Sequence, residues 1–248
     1  MNDAQDTEVS VLLAGNAAKL YCLNWIERYV VEKGGEVKIL DLGCGTALNF
    51  ANLLKLYPQV SYVGVEPAKD TWLKAQQNLN GLKASILNLP GYQLYTKLRE
   101  KFDIVVSFSV LEHVYRRLDY LGSAKKCLKE DGYFLINYDS GHFTGGREKL
   151  IRAIGKVLVK FGIERYYQSF IKEEDFGRMV EKTGFTIIEE KFFNTGLKGT
   201  YKIIPESRRA EYMNRWLGLE LWLNELEIEY NDAKARYLGT RNFILAHK

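Results

Sequence analysis

The sequence has almost nothing with which to build a disulfide framework or a zinc site. Its 248 residues hold three cysteines, at 22, 44 and 127. They are odd in number and far apart, which argues against disulfides and for a reducing, cytoplasmic setting. No Cys/His grouping has zinc-ligand spacing, so no metal is expected. Long apolar runs are missing as well. The stretches Ile39–Leu40 and Ile104–Val106 are strand-sized, whereas a bilayer span needs about 20 residues. Residues Met1–Glu8 are polar and acidic, unlike a secretory leader. Four prolines leave no Pro-rich hinge between domains. Charge of one sign is scarce too. A net charge of +4 is too small to argue for a nucleic-acid partner. The length suffices for one substantial core.

What is present is alternation. Helical patterns at Asn16–Lys33, Leu48–Tyr57, Ala68–Leu79 and Arg117–Leu128 are interleaved with short apolar runs. Those runs, at Val37–Leu40, Val60–Val65, Ala84–Leu87, Asp103–Ser107 and Gly132–Tyr138, are expected strands. Apolar runs without a two-residue alternation fit strands covered on both faces. The expected fold is therefore α/β: a doubly wound, mostly parallel seven-stranded sheet with helices on both faces. Past Gly141 the pattern changes. A helix at Lys172–Lys182, a strand at Phe185–Phe192, a long helix over about Glu206–Arg236 and an edge strand at Arg241–His247 follow. The chain is read as one domain. Its core spans about 16–140, 171–194 and 239–248. Cap insertions at about 141–170 and 195–236 cover the active face, the first of them a helical cap after strand five.

Ligands of doubly wound sheets sit outside the carboxyl ends of the strands. The first strand ends in Asp41-Leu-Gly-Cys-Gly-Thr46. Gly43 and Gly45 there admit a positive φ and a close ligand, and the helix just beyond leaves free N–H groups. Two glycines alone are also a common structural turn. Asp41 can face a cation or accept hydrogen bonds. Glu66, after the second strand, can accept from ribose hydroxyls. Position 48 is Leu, so the third glycine of the dinucleotide fingerprint is missing. That disfavours a pyrophosphate-bearing cofactor and an oxidoreductase.

Four segments carry a family resemblance. Val37-Lys-Ile-Leu-Asp-Leu-Gly-Cys-Gly-Thr46 and Tyr62-Val-Gly-Val-Glu-Pro67 resemble the first two motifs of class I S-adenosylmethionine-dependent methyltransferases. Phe102-Asp-Ile-Val-Val-Ser-Phe-Ser-Val-Leu-Glu-His-Val114 resembles their fourth motif, and Leu128-Lys-Glu-Asp-Gly-Tyr-Phe-Leu-Ile136 the element before strand five. The resemblance covers about residues 36–138 and is closest in style to small-molecule and quinone-type O-methyltransferases. It implies S-adenosylmethionine as cofactor, held by Asp41, Gly43, Cys44, Gly45, Thr46, Glu66, Pro67, Asn88, Leu89 and Ser107. Asn88 stands where the family usually has Asp at the adenine. Ser109 stands where the quinone enzymes have an acid, which weakens the case for a metal.

Methyl transfer from a sulfonium needs alignment, and a base only if the acceptor must lose a proton. His113, just past the fourth strand, is one candidate base, with Glu112 placed to orient it or bind a metal. The alternative is that His113 packs under its loop. His142, opening the first insertion, is the second candidate, or a solvated loop histidine. Glu148–Phe161 reads as an amphipathic helix. Lys149, Arg152, Lys156 and Lys160 fall in one sector of about 80°, and Leu150, Ile154, Val157, Leu158 and Phe161 in the next. It can meet an anionic lipid surface or acidic substrate, but packing of its apolar side on the core is the favoured reading. Trp216, Leu219, Leu223, Leu226 and Tyr230 form a short heptad-like seam, read as packing against the cap. Tyr166, Tyr167 and Tyr201 are pocket or core aromatics. The expected activity is methylation of a small-molecule acceptor, on oxygen, such as a sugar, glycolipid, quinone or other secondary metabolite, by a monomer or homodimer. The competing readings are a methyltransferase acting on nucleic acid or protein, and a non-catalytic cofactor-binding module.

Overall fold

The computed structural model describes residues 16–139, 153–161, 164, 167–194, 198–230 and 239–247. Helix α1, Ala17–Lys33, starts on Asn16, whose side chain accepts from Ala18 N at 2.9 Å. It stops at Gly34, at φ +64°. Both are the residue types that such helix ends favour. Strand β1 is Val37–Leu42, helix α2 Leu48–Leu56, strand β2 Val60–Val65, helix α3 Lys69–Asn78 and strand β3 Ala84–Leu87. Strand β4, Phe102–Phe108, leads into a 3₁₀ turn at Leu111–His113, then helix α4, Arg117–Cys127, and strand β5, Leu128–Asp139. Helix α5, Glu173–Thr183, strand β6, Phe185–Asn194, and the single turn α6, Lys198–Tyr201, follow. Helix α7, Arg209–Tyr230, and strand β7, Gly239–His247, close the chain.

The seven strands form one sheet in the order β3-β2-β1-β4-β5-β7-β6. Every pair from β3 through β5 is parallel, and β7 runs antiparallel between β5 and β6. The strand order reverses at β1 and β4, which pair through Ile39–Asp41 and Ile104–Val106. One apolar core lies under α1, α2 and α7, with Leu20, Phe50 and Trp216 in it. The other lies under α4 and α5, with Leu121, Phe176 and Val180. The sheet is thus covered on both faces, as non-alternating apolar strands require.

Several boundaries and faces differ from the sequence reading. Strands β1, β4 and β5 run further toward their carboxyl ends, carrying Leu42, Phe108 and Asp139 into the sheet. The late helix begins at Arg209 after a 3₁₀ turn at Glu206–Arg208. Residues 231–236 lie outside the described residues. Its buried stripe is Met213, Trp216, Leu217, Glu220 and Asn224, while Leu219 of the expected seam is 43% exposed. Each polar residue on the buried face has a partner there, Glu220 accepting from Trp216 Nε1 at 2.8 Å and Asn224 bonding backbone. Asn224 Oδ1 accepts from Phe192 N at 2.7 Å, and its Nδ2 donates to Phe192 O at 2.6 Å. One amide so covers part of the open edge of β6, a place where unpaired backbone invites association.

The cap helix also departs from expectation. Its described part is helical over 153–158. Ile154, Val157 and Phe161 do not pack on the core but are 48%, 56% and 77% exposed. Lys149, Leu150 and Arg152 lie outside the described residues. No described helix is long and apolar enough to cross a membrane.

Candidate active site

The carboxyl ends of β1 and β4 meet at the reversal of strand order, where doubly wound sheets bind ligands. Gly43 leaves β1 at φ +81°, and Gly45 and Ala47 follow at φ +56° and +57°. A side chain at Gly43 would be excluded twice. Its φ disfavours one, and a Cβ there would lie 2.6 Å from Val110 Cγ2. Gly43 therefore lets the loop after β1 close against the loop after β4. At Gly45 a Cβ would meet nothing within 4 Å, so that turn borders open space.

The loop is held by β2. Val65 O accepts from Gly43 N at 2.8 Å and Cys44 N at 3.0 Å. Glu66 is nearly buried. Its Oε2 accepts from Gly45 N at 3.1 Å and its Oε1 from Ala68 N at 2.9 Å. A carboxylate has about four acceptor positions, so both oxygens keep capacity for further donors. Thr46 O accepts from Asn78 Nδ2 at 2.8 Å. Asn88 is exposed, and its Nδ2 donates to Glu66 O at 2.8 Å and Pro67 O at 3.1 Å. Leu89 is half-buried beside it.

Asp41 is buried and accepts from Tyr62 Oη at 2.8 Å. Burial raises its carboxyl to about 7, against the opposing pull of the Tyr62 hydroxyl and the Lys19 ammonium. Burial likewise pushes the Cys44 thiol up, which keeps it protonated and unreactive. Ser107 corrects the sequence reading. It is fully buried, and its hydroxyl lies 2.8 Å from Tyr120 Oη, which itself donates to Leu42 O at 2.8 Å. Tyr120 has one proton to give, so Ser107 donates. Ser107 lies beneath the site and steadies the end of β1 through Tyr120.

Beyond β4, Ser109 sits at φ +57° without being glycine. Its N–H donates to Asn137 Oδ1 at 2.9 Å, and Asn137 is fully buried on β5. Glu112 is 1% exposed. Its Oε1 accepts a long 3.4 Å bond from Asp139 N, and Oε2 has no partner. Burial raises its carboxyl to about 7. His113, the next residue, is exposed, so Glu112 is turned into the protein and His113 out of it. Glu112 does not orient the imidazole by side-chain contact. Tyr167 stacks edge-on with Tyr115 at 5.3 Å and bonds to Ser169 Oγ at 2.9 Å. Tyr201 packs against the core of α1 and α7. His142 and Tyr166 lie outside the described residues.

The structure thus gathers Asp41, Gly43–Thr46, Glu66, Pro67, Asn88 and Leu89 around one loop and keeps Ser107 below it. Tyr62, Tyr120 and Asn137 were missed in the sequence. Asn137 had a signal, since it is the polar residue inside the apolar run Phe134–Tyr138.

A family model described as a methyltransferase domain matches residues 15–190. The cyclopropane-fatty-acyl-phospholipid synthase of Escherichia coli (strain K12) is 33% identical over 103 residues, 41% of this chain. The chain spans only 26% of that relative's length. The ubiquinone biosynthesis O-methyltransferase of Rickettsia canadensis (strain McKiel) is 24% identical over 191 residues, covering 71% of this chain and 78% of that one. The magnesium protoporphyrin IX methyltransferase of Synechocystis PCC 6803, solved with bound SAH, is alike in fold. Its TM-score is 0.54 at 12% identity, covering 93% of this chain and 84% of that chain. With its motif order, its sheet order and this family match, the chain belongs to the class I S-adenosylmethionine-dependent methyltransferases.

Proposed function

We propose that the chain moves a methyl group from S-adenosylmethionine to an oxygen of a small-molecule acceptor. The observation that carries the donor half is the left-handed Gly43–Gly45 loop locked to Glu66. Glu66 would take the ribose hydroxyls on its spare acceptor positions, Asp41 and residues 43–46 the methionine part, and Pro67, Asn88 and Leu89 the adenine. The donor set fits the group: open space at Gly45, a pinned carboxylate, and no glycine at 48 for a pyrophosphate. When bound, the cofactor supplies an activated methyl on a positively charged sulfur. The rest falls to the chain, which must align the acceptor and exclude water.

His113 is the base we assign, outward-facing at the mouth of the β4 loop, with His142 as a second candidate. Ser109 and Asn137 set the path of that loop. Oxygen as the acceptor atom finds support in the name of the Rickettsia relative. The E. coli relative is named for a fatty-acyl phospholipid, which leaves the range at quinone, glycolipid, sugar or similar metabolite. Three buried, free cysteines agree with a reducing, cytoplasmic setting.

Calorimetry with S-adenosylhomocysteine tests the donor half. Micromolar binding is expected, weakened roughly tenfold or more in Glu66→Ala by loss of charge-assisted hydrogen bonds. An absence of heat with the wild type, or unchanged affinity in the variant, ends the reading. For the acceptor half, labelled methyl transfer into a host extract followed by mass identification names the product. His113→Ala should then lower kcat with unchanged cofactor affinity.

A further inference from the structure

Arg117 opens helix α4, where electrostatics disfavours it. The first turn of a helix is the positive end of its dipole and suits acidic residues better. The contacts of the side chain offset that. It is half-buried, and its Nε donates to Leu111 O at 3.1 Å. From the other side of the guanidinium, Nη2 donates to Ser169 O at 3.0 Å and to Ser169 Oγ at 2.7 Å, and Nη1 to Phe170 O at 3.5 Å. Beside this fork, Ser169 N donates to Glu112 O at 2.9 Å. Two successive carbonyls of the turn Leu111–His113 are thereby tied to a segment 52 residues beyond Arg117. Tyr115 and Tyr167, with ring centroids 5.3 Å apart, add an aromatic contact between the same two stretches.

From this arrangement we propose that Arg117 is a positioning residue of the acceptor end, clamping Ser169 and Phe170 to the turn that carries His113. The inference rests on the methyl-transfer reading and deepens it. His113 is exposed, and the aim of an exposed side chain follows the backbone that carries it. A displacement of about 1 Å at reacting atoms can cost roughly 100-fold in rate. A clamp on the turn therefore has a kinetic consequence although it touches no reactant. Arginine suits the task and lysine does not. The planar guanidinium presents rigid donors to both stretches at once, whereas an ammonium is a point charge on a flexible stem. The contacts all lie beyond β4, so donor binding should not feel their loss.

Hydrogen exchange of the full chain, read by mass spectrometry, tests the clamp without an acceptor. In Arg117→Lys, peptides covering 110–114 and 168–171 should exchange roughly tenfold faster, and together, because one fork holds both. Ser169→Ala removes one acceptor of the fork and should speed the same peptides by less. Peptides over 41–47 and S-adenosylhomocysteine affinity should stay at wild-type values. With the acceptor identified by labelled transfer, Arg117→Lys should lower kcat roughly tenfold or more and leave the KM for S-adenosylmethionine unchanged. A residue that only held the fold together would lower the melting temperature and donor affinity along with kcat. Should Arg117→Lys not fold, exchange and kcat in Ser169→Ala decide. Three results overturn the inference. They are wild-type exchange at both peptides, faster exchange at 168–171 with the turn unchanged, or faster exchange at both with unchanged kcat. A wild type that does not bind S-adenosylhomocysteine is a different outcome. It removes the methyl-transfer reading, and the positioning role with it, even where exchange shows the clamp.

Discussion

The two ends of the proposed reaction centre are built differently. At the donor end Glu66 spans two backbone N–H groups, Asp41 accepts from Tyr62, and Gly43 gives up its side chain so that two loops can touch. Polar groups there are pinned before any ligand arrives, which is the arrangement that lowers the ordering cost of binding. At the acceptor end Glu112 is buried with Oε2 unpartnered, and Ser109 is held in a left-handed conformation. A buried polar atom without a partner costs about 1–3 kcal/mol, and left-handed backbone about 1–2 kcal/mol. The donor half is finished by short-range structure. Left-handed non-glycine backbone occurs at both ends, at Ala47 as at Ser109, so what sets the acceptor end apart is the unpartnered Glu112 Oε2, a store of unfavourable energy of the kind functional sites carry.

The sharpest way to break this contrast is to disturb the donor loop where it has no slack. Gly43→Ala adds a Cβ at 2.6 Å from Val110 Cγ2 and forces alanine to φ +81°. Overpacking and strain together should cost roughly 3 kcal/mol and remove most S-adenosylhomocysteine binding. Adding Val110→Ala removes the two γ-methyls and should restore about 1 kcal/mol, leaving the backbone strain. Urea unfolding of the two single variants and the double variant measures the coupling. Additive losses would mean that the two loops do not touch.

The two raised carboxyls sharpen the contrast further. Asp41 and Glu112 each stand at about 7 in the folded chain, above ordinary values of 3.8 and 4.5. The folded state therefore holds protons that the unfolded chain releases. Stability from each group is complete below its ordinary value and is lost as pH rises through about 7. Each buried group should cost on the order of 2–4 kcal/mol between pH 4 and 8. Asp41→Asn and Glu112→Gln should each flatten that slope and raise stability at pH 8. They should part on ligand binding, with donor affinity falling at least about tenfold in Asp41→Asn and holding in Glu112→Gln. Equal losses would join the two ends into one site.

How much of this was legible in the sequence follows the same division. Asp41, Gly43, Gly45 and Glu66 lie at strand ends within one βαβ unit, so local pattern located them. The Ser107 hydroxyl reads as a site residue in a motif, yet it is buried against Tyr120 from α4. That contact crosses 13 residues and an element boundary, and no periodicity encodes it. On α7 the apolar spacing suggested Leu219 and Leu223. The buried face instead follows Glu220, which accepts from Trp216 Nε1, and Asn224, which bonds the edge of β6 where a methyl group could not. The apolar side of 153–161 was expected inward, since amphipathic stripes usually face a core. Gly155 and Val159 take that place instead.

The smallest expected effect tests the acceptor end through its backbone. Ser109 at φ +57° spends its N–H on Asn137 Oδ1. At ordinary positions alanine is favoured over glycine by roughly 0.5–1 kcal/mol, because glycine loses more freedom on folding. At a left-handed position the order reverses, since alanine keeps the steric penalty and glycine does not. Ser109→Gly should therefore be more stable than Ser109→Ala by about 0.5–1 kcal/mol, and close to the wild type. The same glycine should lower kcat while leaving donor affinity intact, because the turn that places Glu112 and His113 loses its single preferred conformation. Alanine as stable as glycine would remove the strained turn. Glycine with unchanged kcat would show that the strain is structural and takes no part in setting the acceptor loop.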